Sequence, residues 1–302
     1  CTRSRDEAGD MTTLIRTVKE LQAYRAGIKG KGSIALVPTM GALHEGHLSL
    51  IREARSRADH VIVSNFVNPL QFGPGEDYER YPRTLEADLE LVDTLADAMF
   101  APEASDMYPY PEPFQVDVGP IGRMLEGEIR PGHFNGVATV VLKLFLLAQP
   151  HVAIFGQKDA QQLAVIRRLV HDFNLGIEIV GVPIVREESG LARSSRNSYL
   201  SESGRADALA LSGLLSQALE CPTAAELLAL LRTHEESSRV TWDYRLAVNP
   251  ATFEEIDQAF VGEALVVLAA RVEGVRLIDN ALVNLAPAEA QQTSKEAHSG
   301  KY

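Results

Sequence analysis

Over its first 185 residues the chain alternates short apolar runs with stretches in which apolar residues recur at helical spacing. Ile34 to Val37 reads as a buried strand stopped by Pro38. Val61 to Phe66, Val152 to Phe155 and Ile177 to Val182 read as further strands, and Ala98 to Phe100 as a short one. Between them, positions 48, 51, 54 and 58 form a helical stripe. Leu85–Leu95 and Asp159–His171 also carry helical patterns, and Val137–Ala148 is nearly all apolar, as in a buried helix. Strands that alternate with helices build a parallel sheet covered on both faces, with ligands at the carboxyl ends of its strands. After Glu188 the texture changes. Ser189–Gly204 is rich in Ser, Arg, Asn and Gly, which predicts a loop or hinge. Two Ala-rich helices follow (205–219 and 223–236), then strands over Tyr244–Val248, Leu265–Arg271 and Val275–Asp279. The expected organisation is a first domain over 11–187, a smaller α+β domain over 188–288 and a tail over 289–302.

Composition narrows the function classes. The 302 residues are 45% apolar and 23% charged, with a net charge of −12. An acidic total argues against indiscriminate nucleic-acid binding. No run of 18 apolar residues suggests a membrane span. The two cysteines, Cys1 and Cys221, form no CxxC pair, so neither a disulfide framework nor a structural zinc site is expected. With no charged-then-apolar leader pattern, the default expectation is a cytoplasmic protein. Residues 1–10 read as lying upstream of a start at Met11, although Cys1 also mimics a processed lipoprotein end.

The chemistry concentrates in Pro38-Thr39-Met40-Gly41-Ala42-Leu43-His44-Glu45-Gly46-His47, which follows a buried strand and opens a helix. Gly41 permits a tight turn, and Gly46 permits a ligand to approach the helix start. His44 and His47, three apart, are expected on one face of the first helical turn. The helix N-terminus adds N–H donors and partial positive charge. Together these make an anion site suited to the charge that grows on a phosphate during displacement at phosphorus. Zinc ligation by H-E-x-x-H requires a spacing of four rather than three, and no third ligand is evident. Gly30-Lys31-Gly32-Ser33 precedes its strand and lacks the GxxxxGK[ST] spacing, so no P-loop is present. A purely structural pair of histidines remains the plainer alternative.

His44-Glu45-Gly46-His47 resembles the HxGH signature of the nucleotidyltransferase superfamily. The stretch PTMGALHEGHLSLI (38–51) is similar to the pantothenate synthetase (pantoate–β-alanine ligase) family. The resemblance continues through FVNPLQF (66–72), YPRTLEADL (81–89), GHFNGVATVV (132–141), FGQKDAQQL (155–163) and VREESGLARSSRNSYL (185–200). It implies an α/β fold, a Rossmann-like doubly wound parallel sheet with a second, smaller α+β C-terminal domain. It also implies an ATP-dependent ligase that joins (R)-pantoate to β-alanine through a pantoyl adenylate, releasing pyrophosphate and AMP. The family assigns His47 the proton-donor role, with His44 and Lys158 completing the catalytic set. ATP contacts are expected from Met40, Gly41, His44, His47, Gly156, Lys158, Asp159, Val185, Arg193, Ser194, Ser195 and Arg196. Pantoate is expected at Pro38, Met40, Gln71 and Gln162, with Phe66, Val140 and Val141 as further apolar candidates or plain core. β-Alanine is expected at Gln71.

Neutral glutamine amides can bind hydroxyls and a carboxylate without quenching the latter's nucleophilicity by full ion pairing. Ser194, Ser195 and Arg196, in a Gly/Ser-rich segment, are expected to form a mobile phosphate clamp. Magnesium is expected with ATP, with Asp88 as the candidate outer contact. A homodimer formed through the N-terminal domain is implied. Gln157, Ala160 and Arg193 depart from the family's pattern, where Glu, an aromatic and Met or Leu are usual. Two other function classes share features of the chain: a nucleotidyltransferase acting on a phosphorylated acceptor, and a nucleotide-binding regulator without turnover.

Overall fold

A computed structural model of the chain describes residues 11–234 and 238–287. Residues 1–10 and the expected tail over 289–302 lie outside the described residues. The chain divides into two compact units, at Val185/Arg186. Arg186 and Glu187, expected in the first domain, fall in the second unit, where their side chains bond to Asp279 and Arg205.

The first unit is a six-stranded sheet. Its strands are β1 (Thr13–Ile15), β2 (Ile34–Thr39), β3 (His60–Asn65), β4 (Ala98–Phe100), β5 (Val152–Gly156) and β6 (Glu178–Val182), in the order β1-β4-β3-β2-β5-β6. Every pairing is parallel. Around it run α1 (Val18–Ile28), α2 (Glu45–Arg57), α3 (Leu85–Val92), α4 (Ala104–Met107), α5 (Glu126–Ile129), α6 (His133–Ala148) and α7 (Ala160–Asp172).

The apolar runs are buried on both faces, and the strand period of two decides which residue goes where. Ala35, Val37, Val61, Val63 and Ile154 pack with Leu50, Ile51 and Ala54 of α2. Ile34, Leu36, Ile62, Ala153 and Phe155 pack on the other face with α6 and α7, through Val137, Leu144, Phe145, Leu163 and Ile166. Burial of each Val, Leu, Ile or Phe among them contributes roughly 1.5–3 kcal/mol, and of each Ala less. From β2 the chain steps outward to β3 and β4, then returns to the other side of β2 to form β5 and β6. The reversal point of a doubly wound sheet therefore lies between β2 and β5, where such sheets hold ligands beyond the strand ends.

The second unit pairs a three-stranded antiparallel sheet with two helices. These are α8 (Glu202–Leu219), α9 (Ala224–Thr233), β7 (Val240–Val248), β8 (Gly262–Val272) and β9 (Val275–Leu285). Alternate residues of β8 (Ala264, Val266, Leu268, Ala270, Val272) share a core with Leu211, Leu214 and Leu215 of α8 and Leu227 and Leu231 of α9. Val272 pairs with Val275, so β8 and β9 join through Glu273-Gly274. Both turn residues have positive φ (51° and 79°), as a two-residue hairpin of matching twist requires.

Ser189–Gly204, expected as a loop or hinge, is largely loop with some built structure in it. Arg186 bridges to Ala192, and Ser195–Tyr199 is a short 3₁₀ helix.

Candidate active site

The loop from Met40 to His44 leaves β2 in a conformation few residues tolerate. Gly41 (φ 82°) and Ala42 (φ 51°) are both left-handed. A Cβ on Gly41 would lie 2.4 Å from Asn65 Oδ1 and 3.2 Å from Asp88 Oδ2. Ala42 bears the cost of its backbone because the next two peptides are anchored. The buried Asp88 accepts the Ala42 N–H at 2.9 Å on Oδ2 and the Leu43 N–H at 2.8 Å on Oδ1. The Asn65 amide (2.9 Å) and the Thr84 hydroxyl (3.2 Å) complete its set of donors. Asp88, expected at a metal, thus has both oxygens engaged in holding the histidine loop. Among the described residues no three His, Cys, Asp or Glu side chains form a group able to hold a metal ion.

His44 is not in the first helical turn. It is the N-cap of α2, with extended backbone (φ −144°, ψ 178°), and His47 is the third helical residue. The two rings meet because they form a reciprocal cap. His44 Nδ1 accepts the Gly46 N–H at 3.1 Å, and His47 Nδ1 accepts the His44 N–H at 3.3 Å. Imidazoles here take the parts that Ser/Thr and Glu play in an ordinary capping box. Gly46, expected to admit a ligand, makes room for the His44 ring: a Cβ there would lie 2.8 Å from His44 Cε1. The ring centroids are 4.2 Å apart, tilted by 40°. Since Nδ1 accepts in both rings, the proton of each sits on Nε2.

The field keeps His47 neutral. Dense protein surroundings push its pKa down to about 3, helped by His44 and Lys158 and opposed by Asp159. His47 is therefore a neutral N–H donor at pH 7. Lys158 and Asp159, which follow β5, lie within electrostatic reach of this ring. Asp159 is exposed at the N-cap of α7, but its side chain makes no capping hydrogen bond. Gly156 is the last residue of β5, and Val185 closes the first unit beyond β6.

Beyond β3, Gln71 sits in a buried amide relay that residue patterns alone do not disclose. The Tyr108 hydroxyl donates to Asn68 Oδ1 (3.0 Å), and Asn68 Nδ2 donates to Gln71 Oε1 (3.1 Å). Gln71 Oε1 is thereby occupied, and Nε2 donates to Met40 Sδ at 3.0 Å, a weak acceptor. The Gln71 carbonyl accepts from His133 Nδ1 at 2.9 Å. Arg130 lies 3.2 Å from His133 Nε2 and grips Glu76 with two hydrogen bonds, at 2.7 and 2.6 Å. Burial, aided by Arg130, lowers the pKa of His133 to about 4 against the pull of Gln71, Glu76 and Asp159.

The adjacent glutamines of α7 separate. Gln161 is buried and spent on Ile121 O, Met124 O and the Glu126 N–H, whereas Gln162 is half-buried. Phe66, Val140 and Val141 belong to the apolar core, and Pro38 and Met40 are half-buried at the end of β2. Arg193, Ser194, Ser195 and Arg196 belong to the second unit. There Ser194 Oγ caps the Ser195–Tyr199 turn through the Arg196 N–H at 3.3 Å.

The two depressed histidines make stability depend on pH. Each is neutral when folded but takes up a proton near pH 6.5 when unfolded. The unfolded chain binds more protons below that point, so their contribution is complete above pH 6.5. It is lost as the pH falls towards 4 for His133 and 3 for His47, by at most about 1.4 kcal/mol per pH unit for each ring. Urea titrations between pH 7 and 4.5 will show unfolding free energy falling with pH, with a shallower slope in His47→Gln. Equal slopes in parent and variant would mean that His47 is not held neutral.

The model of the pantoate–β-alanine ligase family matches residues 13–282. A pantothenate synthetase of Acidothermus cellulolyticus is 51% identical over 287 residues, covering 91% of this chain and 94% of that protein. One from Thermobifida fusca is 49% identical over 298 residues, covering 94% of this chain and 100% of that protein. The crystal structure of a pantothenate synthetase from Thermus thermophilus superposes with a TM-score of 0.81 at 45% identity, covering 89% of this chain and 99% of that one. A pantoate–β-alanine ligase from Francisella tularensis, crystallised with a β,γ ATP compound and β-alanine, gives a TM-score of 0.74 at 35% identity, covering 90% and 97%. No helix among the described residues is long and apolar enough to cross a membrane.

Proposed function

The chain belongs to the pantoate–β-alanine ligase family, and on that footing we propose that it condenses (R)-pantoate with β-alanine through a pantoyl adenylate. A carboxylate oxygen of pantoate attacks the α-phosphorus of ATP. The bond from that phosphorus to the β-bridging oxygen breaks, and pyrophosphate leaves. The amine of β-alanine then attacks the acyl carbon, the C–O bond to AMP breaks, and the amine loses a proton as the amide forms. Activation is needed because a free carboxylate is a poor acceptor for an amine.

The observation that carries this reading is the reciprocal histidine cap. It fixes two imidazoles with Nδ1 turned to the backbone, so that Nε2–H is the donor each ring offers. Donors fixed before the reaction stabilise negative charge growing on the α- and β-phosphates without reorganising. Lys158 adds a point charge beyond the neighbouring strand. Gln71 offers N–H rather than carbonyl, which suits the carboxylate and hydroxyl oxygens of pantoate, with Gln162 as second amide and Pro38 and Met40 as apolar wall. Gln71 also serves β-alanine. Gly41, Gly156, Asp159 and Val185 complete the ATP contacts of the first unit, and Arg193, Ser194, Ser195 and Arg196 those of the second. Magnesium would accompany the triphosphate and neutralise part of its charge, an ion of this kind needing few protein ligands. The proposal extends to a cytoplasmic homodimer.

Purified protein should release pyrophosphate from ATP only when pantoate is present, and form amide once β-alanine is added. With ¹⁸O in the pantoate carboxylate, label should appear in AMP, since the attacking oxygen leaves with it. Pyrophosphate release without pantoate would overturn the assignment, and unlabelled AMP would remove the adenylate.

A further inference from the structure

In the second unit, the arc Arg193–Arg196 is closed across its base by a single side chain. Asn197 is 3% exposed, and its Nδ2 donates to Ala192 O at 3.0 Å, spanning the four residues between them. The same Nδ2 donates to Glu187 Oε1 at 3.0 Å. Arg205 of α8 pairs with both Glu187 oxygens through Nη1, at 3.2 and 3.0 Å, and donates from Nη2 to the Asn197 carbonyl at 2.9 Å. Asn197 is therefore held by side chain and backbone at once. The strand of the loop leading in is fixed as well. Glu187 N–H donates to Leu191 O at 2.8 Å. Arg186 makes a two-pronged pair with the buried Asp279, at 2.7 and 3.0 Å, and also reaches Gly190 O at 3.0 Å.

Side chains that bond to a loop's backbone at several points select one conformation of it, here through Asn197 Nδ2, while the buried Asn197 Oδ1 has no hydrogen-bond partner among the described residues. We propose that Asn197, with Glu187 and Arg205 behind it, is a positioning residue for Ser194, Ser195 and Arg196. The arc is carried as a fixed part of the second unit rather than as a pliable clamp. The inference rests on the reading that this arc contacts the phosphates of ATP, and it adds the residues that hold the arc in shape.

A double-mutant cycle separates the two ideas. Arg196→Ala should lower kcat/KM for ATP by removing a phosphate contact. Asn197→Ala should lower it by roughly 10²-fold through misplacement of the arc. The double variant should lie within about threefold of the weaker single, because the second change has little left to remove. KM for β-alanine should stay within about twofold in Asn197→Ala. Losses that multiply, or a parallel rise in the β-alanine KM, would show that Asn197 supports the fold generally and would overturn the proposal. If Arg196→Ala alone leaves kcat/KM for ATP unchanged, the phosphate reading of the arc falls, and this proposal with it. Glu187→Gln keeps the side-chain shape and one acceptor for Asn197 Nδ2, but sets an NH₂ group against Arg205 and removes the charge of that pair. It runs through the same cycle and decides the matter if Asn197→Ala does not fold.

Discussion

Replacing His47 by alanine should lower kcat for pyrophosphate release by roughly 10²–10³-fold, as removal of one preorganised donor to a developing oxyanion does elsewhere. The ring is neutral and its Nδ1 is committed to the His44 N–H, so Nε2–H is the group the substitution removes. The alanine variant also loses half of a helix cap, which costs about 0.5–2 kcal/mol of stability. His47→Gln separates the two effects. A glutamine at the third helical position can still accept the His44 N–H, so the melting temperature should return towards that of the parent while kcat stays low. A loss in His47→Ala smaller than about threefold would remove the ring from the mechanism.

The second large effect falls on Asp88. Its removal strands the N–H groups of Ala42 and Leu43 and the Asn65 amide around a buried gap, while Thr84, an exposed residue, can turn its hydroxyl to water. Buried donors left without acceptors cost about 1–3 kcal/mol each, and partial relaxation brings the expected total for Asp88→Ala to about 3–5 kcal/mol. Against a typical stability of about 5–15 kcal/mol, that is a large share. The anchor also holds Ala42 in its left-handed state, so what remains folded should show lower kcat as the histidine loop relaxes. Urea unfolding of parent and variant, with kcat measured well below the transition, reads both. Parent-like unfolding together with a raised magnesium requirement would return Asp88 to the metal role that its acidic character first suggests.

Much of the architecture was legible in the residues. The runs around Ile34, Val61, Ala98, Val152 and Ile177 are strands, and the stripes between them are helices, because a parallel sheet buried on both faces needs continuous apolar strands. Thr13–Ile15 escaped notice because three residues at a sheet edge carry no period. The strand order was not written in any local pattern, since it depends on where β5 docks. At the site, spacing put His44 and His47 close together, as they are, but for a different reason: a cap places them, not a helical face. The anchoring residues were hidden because each reads as something else in sequence. Asp88 reads as a metal-side acid, Gln161 like its neighbour Gln162, and Asn197 like a loop residue. The one local signal was Asn68 ahead of Pro69, a residue pair that favours a turn and a side-chain cap. In the Ser/Gly-rich stretch after Glu188, composition shows the loop but not its ordering, which comes from polar bonds of Glu187, Asn197 and Arg205.

The pairing of β2 with β5 ties Ala35 to Val152 and Leu36 to Ala153. A chain emerging from the ribosome can assemble β1, β4, β3 and β2 well before residue 152 exists. Until then the Ile34–Thr39 strand stands as a bare edge of unpaired N–H and C=O groups, apolar and open to mispairing. Lys158 and Asp159, which act on His47 in opposite senses, are also still to come. The surroundings of the histidine corner are thus completed late, by a long-range closure of the slow kind, and the nascent protein is most exposed to aggregation just before β5 docks.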